Sequence, residues 1–373
     1  MSSKDWYSSQ GNLGSVIIKN KINSIGVLIL GLALSAMTGC SPASSDQTST
    51  AKQETKESNS NRLETIANRG ELICGINDAL PGFSYQETDG SYSGISVDLC
   101  KAIAAAIFGD STKVKFQHLE SAERFQAVVS GEVDILSRNT TWNLSRDTAQ
   151  GLGFPPTNFY DGQGLLVKKE SGIIDLNDLN GKSICFPVRT TTEKNLVEQM
   201  RRYNIGYLPM PFDDNESLYR SYEQNKCDAV TSDRSALVAR RKTMNNPDEH
   251  QVLDAVISKE PLGPVIADGE PAWFDVVEWV FYATVKAEEL DINSNNIDRL
   301  QSSKNPEVRR FLGMEGNLGT QLKLPNDFAF QVIKQVGNYD EIYQRNFREP
   351  FGLERGRNAL SKDGGLMYSP PFR

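Results

Sequence analysis

Short apolar runs alternate along the chain with longer segments in which apolar residues recur every three or four positions. The longer spacing, typical of one helix face, is shared by Val97, Cys100, Ile103, Ala104 and Ile107. The pattern predicts helices at 97–108 and 122–130, and strands at 71–76, 113–117 and 133–136. Strands that alternate with helices indicate an α/β fold with mostly parallel pairing.

One helix-to-strand unit occurs twice in the chain. The predicted helix at 122–130 leads through Gly131 into a strand, and a second helix at 216–224 leads through Asn225 into a strand at 228–231. Glycine and asparagine best tolerate the left-handed conformation that ends a helix. Two similar units predict two lobes with a cleft between them. Ligands of open α/β sheets bind beyond the carboxyl ends of the strands, so we expect the residues after the two strands to face this cleft.

The residues that follow these two strands are polar and charged. Positions 137–146 hold hydroxyls, amides and the guanidinium of Arg146, whose planar fork suits a carboxylate. Asp233 follows the second strand, where a carboxylate is placed to hold an ammonium group. A guanidinium on one lobe and a carboxylate on the other would complement the two charges of an α-amino acid. The alternative is that both residues are solvated surface charges or members of structural ion pairs.

A third polar segment precedes a helix that begins near Lys194. Thr190, with Glu193 three residues later, has the spacing of a capping box. A helix N-terminus also attracts anions, so Thr191 and its neighbours are candidates for binding a ligand carboxylate. Helix capping alone is the alternative. Leu176 stands where a phosphate-binding loop needs its first glycine, so we expect no nucleotide or other cofactor.

The N-terminus predicts export from the cytoplasm. A basic flank is followed by an apolar run at 25–37 and by small residues that end on Cys40, which resembles a bacterial lipobox. We expect 1–40 to be a lipoprotein signal peptide, with Cys40 lipidated and translation starting further in than Met1. A membrane-spanning anchor is the alternative, but spanning takes about 20 apolar residues. The polar stretch 41–61 is predicted to be a flexible linker.

Four cysteines remain beyond the leader, and an exported protein meets an oxidising environment that favours disulfides. They are Cys74, Cys100, Cys185 and Cys227. Of the three possible pairings we favour Cys74–Cys100 with Cys185–Cys227, because each pair then stays within one predicted lobe. Buried free thiols are the alternative. No CxxC motif is present and the two histidines lack metal-ligand spacing, so no metal site is expected.

Composition narrows the class of partner. Hydrophobic residues make up 38% of the chain and charged residues 24%, which is typical of a folded, soluble protein. The net charge is −8. A nucleic-acid partner is therefore not expected, because phosphate binding is driven by clustered Lys and Arg.

Several longer motifs resemble one known family, the polar amino-acid group of bacterial extracellular solute-binding proteins, and within it the general L-amino-acid-binding subgroup. These proteins are the receptors of ABC importers. The motifs are RGELICGI (69–76), LSRNTTWNLSRD (136–147), FYDGQGLLV (159–167), TTTEKNL (190–196), CDAVTSDRSAL (227–237) and GGLMYSPPFR (364–373). The resemblance covers the chain from about Arg62 to its end.

The resemblance implies a two-lobed periplasmic-binding-protein fold of type II, in which two α/β lobes are joined by two hinge strands. Changes in the sequence pattern place the two crossings near 162–167 and 257–261. The implied segments are 62–162 as the first part of lobe 1, 163–258 as lobe 2, 259–345 as the second part of lobe 1, and 346–373 as a C-terminal tail lying against lobe 1.

The resemblance also implies roles for individual residues. Arg146 would bind the ligand α-carboxylate and Asp233 its α-ammonium, with hydrogen bonds from Asn139, Thr141 and Thr191. Phe83 matches an aromatic residue that packs over the ligand side chain, with a core position as the alternative. Arg189 stands where the family usually has glycine, and would either obstruct the ligand or pair with an acidic ligand side chain.

The implied function is binding without chemistry. Hinge closure would capture free L-amino acids and deliver them to the permease subunits of an ABC transporter. Three arginines near the predicted site favour polar or acidic ligands: Arg138, Arg189 and Arg234. We expect a monomer, periplasmic or on the cell surface, held to the membrane by its lipid. An amino-acid sensor domain and an enzyme built on the same fold are the alternatives.

Overall fold

A computed structural model describes residues 61–373. The predicted signal peptide, Cys40 and the predicted linker up to residue 60 lie outside the described residues. The described residues, 61–373, belong to one compact unit. Among the helices described, none combines the length and apolar character needed to cross a membrane.

The strands and helices follow one another in the alternating order that the hydrophobic pattern predicts. The strands are β1 Leu72–Ile76, β2 Ala79–Leu80, β3 Ser84–Gln86, β4 Tyr92–Ser93, β5 Val114–His118, β6 Ile135–Thr141, β7 Leu152–Gly153, β8 Phe159–Asp161, β9 Gln163–Lys168, β10 Ser183–Pro187, β11 Leu208–Phe212, β12 Ala229–Asp233, β13 His250–Val252 and β14 Glu260–Ala267. The α-helices are α1 Arg62–Arg69, α2 Ile95–Phe108, α3 Arg124–Val129, α4 Leu144–Ala149, α5 Thr191–Arg202, α6 Asn215–Glu223, α7 Arg234–Thr243, α8 Pro271–Glu289, α9 Ile297–Leu300, α10 Pro306–Phe311, α11 Leu318–Gln321, α12 Phe328–Gln335, α13 Tyr339–Tyr343 and α14 Glu349–Phe351.

The first lobe is built on a sheet with the strand order β5-β1-β6-β14-β7, and β8 pairs with β14. Strand β1 runs parallel to β5 and β6, whereas β14 runs antiparallel to β6. Helices α2, α8 and α12 contribute to one continuous apolar core with this sheet. A disulfide between Cys74 and Cys100 links β1 to α2.

The second lobe repeats this plan with the strand order β11-β10-β12-β9-β13. Strand β10 runs parallel to β11 and β12, and β9 runs antiparallel to β12. A disulfide between Cys185 and Cys227 joins β10 to the turn before β12. Both disulfides have the pairing that the sequence favours.

The chain passes between the two sheets twice. Strand β8 continues through Gly162 into β9, and the segment after β13 returns to the first sheet as β14. The two crossings run against each other, so a side chain at Gly162 would collide with Val256. Both crossings lie beside the lobe boundaries predicted after residues 162 and 258, which remain predictions.

Two strands extend further than their apolar runs predict. Strand β6 continues to Thr141 because β14 pairs with it there, with Leu262 opposite Thr141. Strand β12 continues to Asp233 because β9 pairs with it up to Gln163. The polar site residues at these two strand ends are therefore held within the sheets. The prediction that they follow the strands is wrong, because β6 extends five residues beyond the predicted strand end at 136.

The segment predicted to be a C-terminal tail lies against the first lobe. It begins within a helical run that continues α13, and Asn358 exchanges two hydrogen bonds with the backbone of Tyr160, at 2.6 and 3.1 Å. Near its end, the ring of Phe372 meets those of Trp279 and Phe311 edge-on, at 5.2 and 5.4 Å between centroids. The tail thus covers part of the first lobe's core.

We predict that Phe372→Ala destabilises the folded protein by about 3 kcal/mol, because Phe372 is 6% exposed and its removal leaves a cavity. The measurement is the free energy of unfolding in denaturant. Tyr368→Ala is the matched control from the same tail, with a side chain 64% exposed and an expected change below about 0.5 kcal/mol. Equal effects of the two variants would show that the tail does not complete the core.

Candidate ligand-binding site

A cavity lies between the two lobes and contains about 450 Å³ of unfilled space, part of it open to solvent. Its walls come from the ends of β6 and β12, the first residues of α5, and nearby loops and helices of both lobes. The first lobe contributes Leu80, Ser121, Arg124, Arg138, Asn139, Thr141 and Arg146. The second lobe contributes Pro187, Thr190, Thr191, Thr192, Asn215, Ser232 and Asp233.

Three buried arginines form one wall of the cavity. Arg124, Arg138 and Arg146 are 3, 6 and 7% exposed. Within residues 61–373, no carboxylate lies within 4.0 Å of their guanidinium nitrogens. The guanidinium of Arg146 donates to the carbonyl of Thr141 at 2.7 Å, and its remaining donors have no carboxylate partner. We call this set the arginine wall.

Burial lowers the pKa of all three guanidinium groups, that of Arg138 to about 10. The positive charges of Arg138 and Arg146 lower the pKa of Arg124 further. Guanidinium groups keep their proton in proteins, so the wall is positively charged at pH 7. Such a wall attracts anions.

The ring of Phe125 supports two members of this wall. The guanidinium carbon of Arg124 lies 4.5 Å from the ring centroid, and that of Arg146 lies 5.2 Å from it. Both distances are within the range of a cation–π interaction. Phe125 therefore helps to set the positions of both charges.

Among the described residues, one carboxylate lines the cavity, that of Asp233 on the second lobe, and the buried carboxylate of Glu260 lies near it. Asp233, at the end of β12, accepts a hydrogen bond from the Asn139 amide across the cleft at 2.6 Å. Glu260, at the start of β14, accepts from the hydroxyls of Thr141 and Thr191 and from the Asn195 amide, the last at 2.7 Å. Glu260 thus bonds to side chains of both lobes where the chain crosses between them.

A third carboxylate, that of Asp161, lies at the other crossing and accepts from the backbone N–H and the hydroxyl of Ser235. Burial raises the pKa of Asp161 to about 6. Burial also raises the pKa of Asp233 well above its usual range, and the nearby charges of Asp161 and Glu260 raise it further. A cation beside Asp233 would offset this repulsion.

The hydroxyls at the start of α5 close the cavity from the second lobe. Thr190 is the N-cap, and its hydroxyl accepts from the Glu193 N–H at 3.3 Å. In a capping box the Glu193 carboxylate would accept from the backbone N–H of the N-cap, Thr190. It accepts instead from the N–H of Arg189 at 2.8 Å, so the second hydrogen bond of the predicted capping box is absent and that prediction is wrong. Thr191 lies 3.1 Å from Thr141 across the cleft, measured between their hydroxyl oxygens.

Arg189 does not line the cavity, so the prediction that it meets the ligand is wrong. Its backbone has a φ of 59°, in the left-handed region that favours glycine, and its exposed side chain turns to form an ion pair with Asp213. Arg234 also lies outside, with its guanidinium on the carbonyl of Leu253. Of the three arginines that suggested acidic ligands, Arg138 alone lines the cavity.

Phe83 is likewise absent from the cavity wall. It is 1% exposed and meets the rings of Phe159 and Phe347 edge-on, each at 5.1 Å between centroids. The prediction that it covers the ligand side chain is wrong, and the core alternative holds, because the ring buries more apolar surface among these aromatics than at a polar cavity. Leu80, at the start of the same turn, lines the cavity.

Sequence analysis did not single out two buried charged residues at or near the cavity, Arg124 and Glu260. Arg124 opens a short helix beside other charged residues, and nothing in its spacing separates it from a solvated helix charge. Glu260 comes just before Pro261 in a crossing strand, and its partners are distant in sequence. One sequence signal could have identified Glu260: an acidic residue stands just before the apolar run 262–266, which is predicted to be buried.

The two lobes, the double crossing and the polar cavity between them define a periplasmic binding protein of type II. Residues 72–349 match the profile of the bacterial extracellular solute-binding proteins, family 3. The chain belongs to this family.

Relatives match the chain over most of their length. The general L-amino acid-binding periplasmic protein AapJ of Rhizobium johnstonii is 45% identical over 315 residues, which are 83% of this chain and 92% of the relative. The glutamate/glutamine/aspartate/asparagine-binding protein BztA of Rhodobacter capsulatus is 44% identical over 314 residues, 83% of this chain and 93% of that protein. A solved ABC transporter periplasmic binding protein from Brucella ovis, with glutathione bound, has a TM-score of 0.82 at 43% identity and covers 83% of this chain and 99% of its own.

We predict that the buried carboxyl of Asp161 makes the ligand-free protein less stable as the pH rises. Because its folded pKa lies above the unfolded value of about 3.9, its stabilising contribution is complete below about pH 4 and is lost as the pH rises through about 6. Asp161→Asn removes this titration. The difference in Tm, wild type minus variant, should therefore fall between about pH 4 and pH 7.

Thermal unfolding across this pH range, without ligand, checks the prediction. Asp248→Asn, at an exposed position of the second lobe, is the control for losing one aspartate charge. Parallel Tm curves for the wild type and Asp161→Asn would contradict it.

Proposed function

We propose that this chain is the substrate-binding protein of an ABC importer and that its ligands are free L-amino acids. The observation that carries this proposal is the separation of buried charges in the cavity, with guanidinium groups on the first-lobe wall and the carboxylate of Asp233 on the second-lobe wall. A free α-amino acid carries a carboxylate and an ammonium group on one carbon. It is therefore the simplest ligand that satisfies both walls.

In the proposed complex, Arg146 binds the α-carboxylate through two parallel hydrogen bonds. The free N–H groups at the start of α5 favour the same anion. Asp233 accepts from the α-ammonium, which takes the place of the Asn139 amide that it now binds. Each charge-assisted hydrogen bond contributes about 1.5–3 kcal/mol.

The same contacts explain capture by closure. In the described conformation, bonds cross the cleft between Asn139 and Asp233 and between Thr141 and Thr191. A ligand that contacts both walls favours the closed conformation over the open one. Changing their ratio from 1:99 to 99:1 takes about 5.5 kcal/mol of differential affinity, which three or four such hydrogen bonds supply.

The relatives support this ligand class. Two of them are named for binding amino acids, and glutathione, bound in the third, has a free α-amino and α-carboxyl group at its glutamyl end. The two other buried arginines, Arg124 and Arg138, extend the positive wall beyond Arg146 and favour ligands with polar or acidic side chains. A sensor domain would have the same binding site. Uptake of the ligand into cells that depends on this protein would distinguish a transport receptor from a sensor.

We propose that binding is the whole activity and that no bond of the ligand is broken. The raised pKa of Asp161 is the observation that favours an enzyme, since perturbed acids are common at catalytic sites. Relatives at 44 and 45% identity are named as binding proteins, which supports binding alone. Recovery of the ligand unchanged after long incubation tests this point, and any product would contradict it.

The family and the predicted signal peptide support a proposal for the cellular setting. We propose that the mature protein begins at a lipidated Cys40, that the 41–61 linker tethers it, and that it works as a monomer outside the cytoplasmic membrane. The predicted lobes, 62–162 with 259–345 and 163–258, would close on the ligand and present it to the permease subunits. Radiolabelled lipid on the wild type but not on Cys40→Ser would test the anchor.

We predict that the mature chain, purified without its lipid, binds several L-amino acids at micromolar or lower concentration in calorimetric titrations. Arg146→Ala and Asp233→Ala each remove one partner of a buried charge pair, which costs about 2–5 kcal/mol, or at least about 30-fold in Kd. Arg189→Ala is the control, because that exposed arginine pairs with Asp213 outside the cavity. No heat from a folded protein with any of the common L-amino acids would overturn the amino-acid assignment.

A further inference from the structure

Glu260 is a buried residue whose hydrogen bonds reach both lobes, although it does not line the cavity. It is 2% exposed and lies outside the set of cavity-lining residues. It stands at the start of β14, one of the two segments that cross between the lobes, and pairs there with Asp161 of β8. A ligand in the cavity would therefore not compete for the oxygens of Glu260.

The bond between Glu260 and Thr141 lies within the first lobe. The hydroxyl of Thr141, at the end of β6, donates to Oε2 of Glu260. Thr141 lies opposite Leu262 in the pairing of β6 with β14, so neighbouring strands of one sheet hold the two partners. We expect this bond to persist when the lobes separate.

The bonds from the second lobe come from one face of α5. Thr191 and Asn195 are four residues apart, a spacing that places both on the same side of a helix. The Thr191 hydroxyl donates to Oε2 of Glu260 at 3.2 Å, and the Asn195 amide donates to Oε1 at 2.7 Å. The same amide donates to the side-chain oxygen of Gln163 at 3.0 Å, where the chain enters the second lobe. Both crossings are thus bonded to the first two turns of α5.

Separation of α5 from β14 would break the bonds from Thr191 and Asn195 together. Every partner in this set is a protein group, so these bonds form whether or not the cavity is occupied. Hydrogen bonds to charged groups are stronger than those between neutral groups, and a buried donor or acceptor that loses its partner is costly. The set therefore favours the conformation in which the lobes are closed.

We propose that Glu260, Thr191 and Asn195 form a latch that stabilises the closed conformation and lets the lobes close for part of the time without ligand. Glu260 and Asn195 are positioning residues, because neither lines the cavity. The inference rests on the proposed function only in that closure captures the ligand. Because apparent affinity scales with the fraction of molecules in the binding-competent state, the latch raises the affinity for every ligand by one common factor.

The test follows closure and binding in parallel. Asn195→Ala is the first variant, because it removes two bonds of α5 without changing the charge of the protein. Single-molecule fluorescence energy transfer between one label on each lobe should show a closed population in the ligand-free wild type, and the variant should reduce it at least about tenfold. Calorimetric titration should show that Kd rises by the same factor for every L-amino acid that binds. A purely structural role would lower Tm and leave the closed-to-open ratio of the folded molecules unchanged.

Glu260→Gln is the second variant and covers the case that Asn195→Ala does not fold. Glutamine keeps the size of glutamate but replaces a charged acceptor by a neutral one, and bonds to neutral acceptors are about half as strong. The closed population should therefore fall in this variant too, by a smaller factor. Asn245→Ala and Glu198→Gln, at exposed positions of the second lobe, are the matched controls and should leave closure and Kd unchanged.

The possible outcomes separate the latch from the proposed function. A wild-type closed population in the folded latch variants would overturn the inference, and so would a ligand-free wild type that never closes. If Asn195→Ala changed the affinity ratios between amino acids, Asn195 would act on the ligand itself, which contradicts the latch. If no amino acid bound the wild type, the proposed function would fail, while the ligand-free populations would still decide for or against the latch.

Discussion

Buried charges of opposite sign face each other across one cavity without touching, and much of the structure follows from keeping them apart. Each buried ion costs several kcal/mol in lost hydration, and direct pairing would recover part of that cost. The fold prevents pairing because Arg124, Arg138 and Arg146 stand on the first lobe, whereas Asp233 stands at a strand end of the second. In the proposed complex, a ligand that carries both charges would recover the part of this cost that the unpaired charges leave.

Because the buried charges of the cavity are not paired with each other, the stability of the folded protein has to come from other interactions. Each lobe has its own apolar core and its own disulfide, Cys74–Cys100 in the first and Cys185–Cys227 in the second, so neither depends on the cavity for its integrity. The C-terminal segment adds further packing to the first lobe. Asp161 and Glu260 lie where the chain crosses between the lobes, and their hydrogen bonds to Ser235 and Asn195 join these crossings to the second lobe.

The sequence predicts most of the fold and half of the site, and the division has a physical reason. Asn139, Thr141 and Asp233 were found because they come at the carboxyl ends of recognisable strands, where ligands of α/β sheets bind. Arg124 was missed because its spacing does not separate it from a solvated helix charge, and Glu260 was missed because its partners Thr141 and Asn195 are distant in sequence. Phe83 and Arg189 were misplaced because local sequence does not state which way a side chain turns: a cluster of aromatic rings holds the first, and a left-handed backbone with Asp213 holds the second.

The central claim is that the two α-groups of one ligand bind opposite walls, and analogues that lack one group test it most directly. The measurement is calorimetric titration with the tightest-binding L-amino acid, its α-carboxamide and its des-amino acid. The account predicts that each analogue loses at least about 30-fold in affinity, because each leaves one buried charge unpaired. Binding of either analogue within a fewfold of the parent amino acid would contradict the claim that both walls hold the ligand.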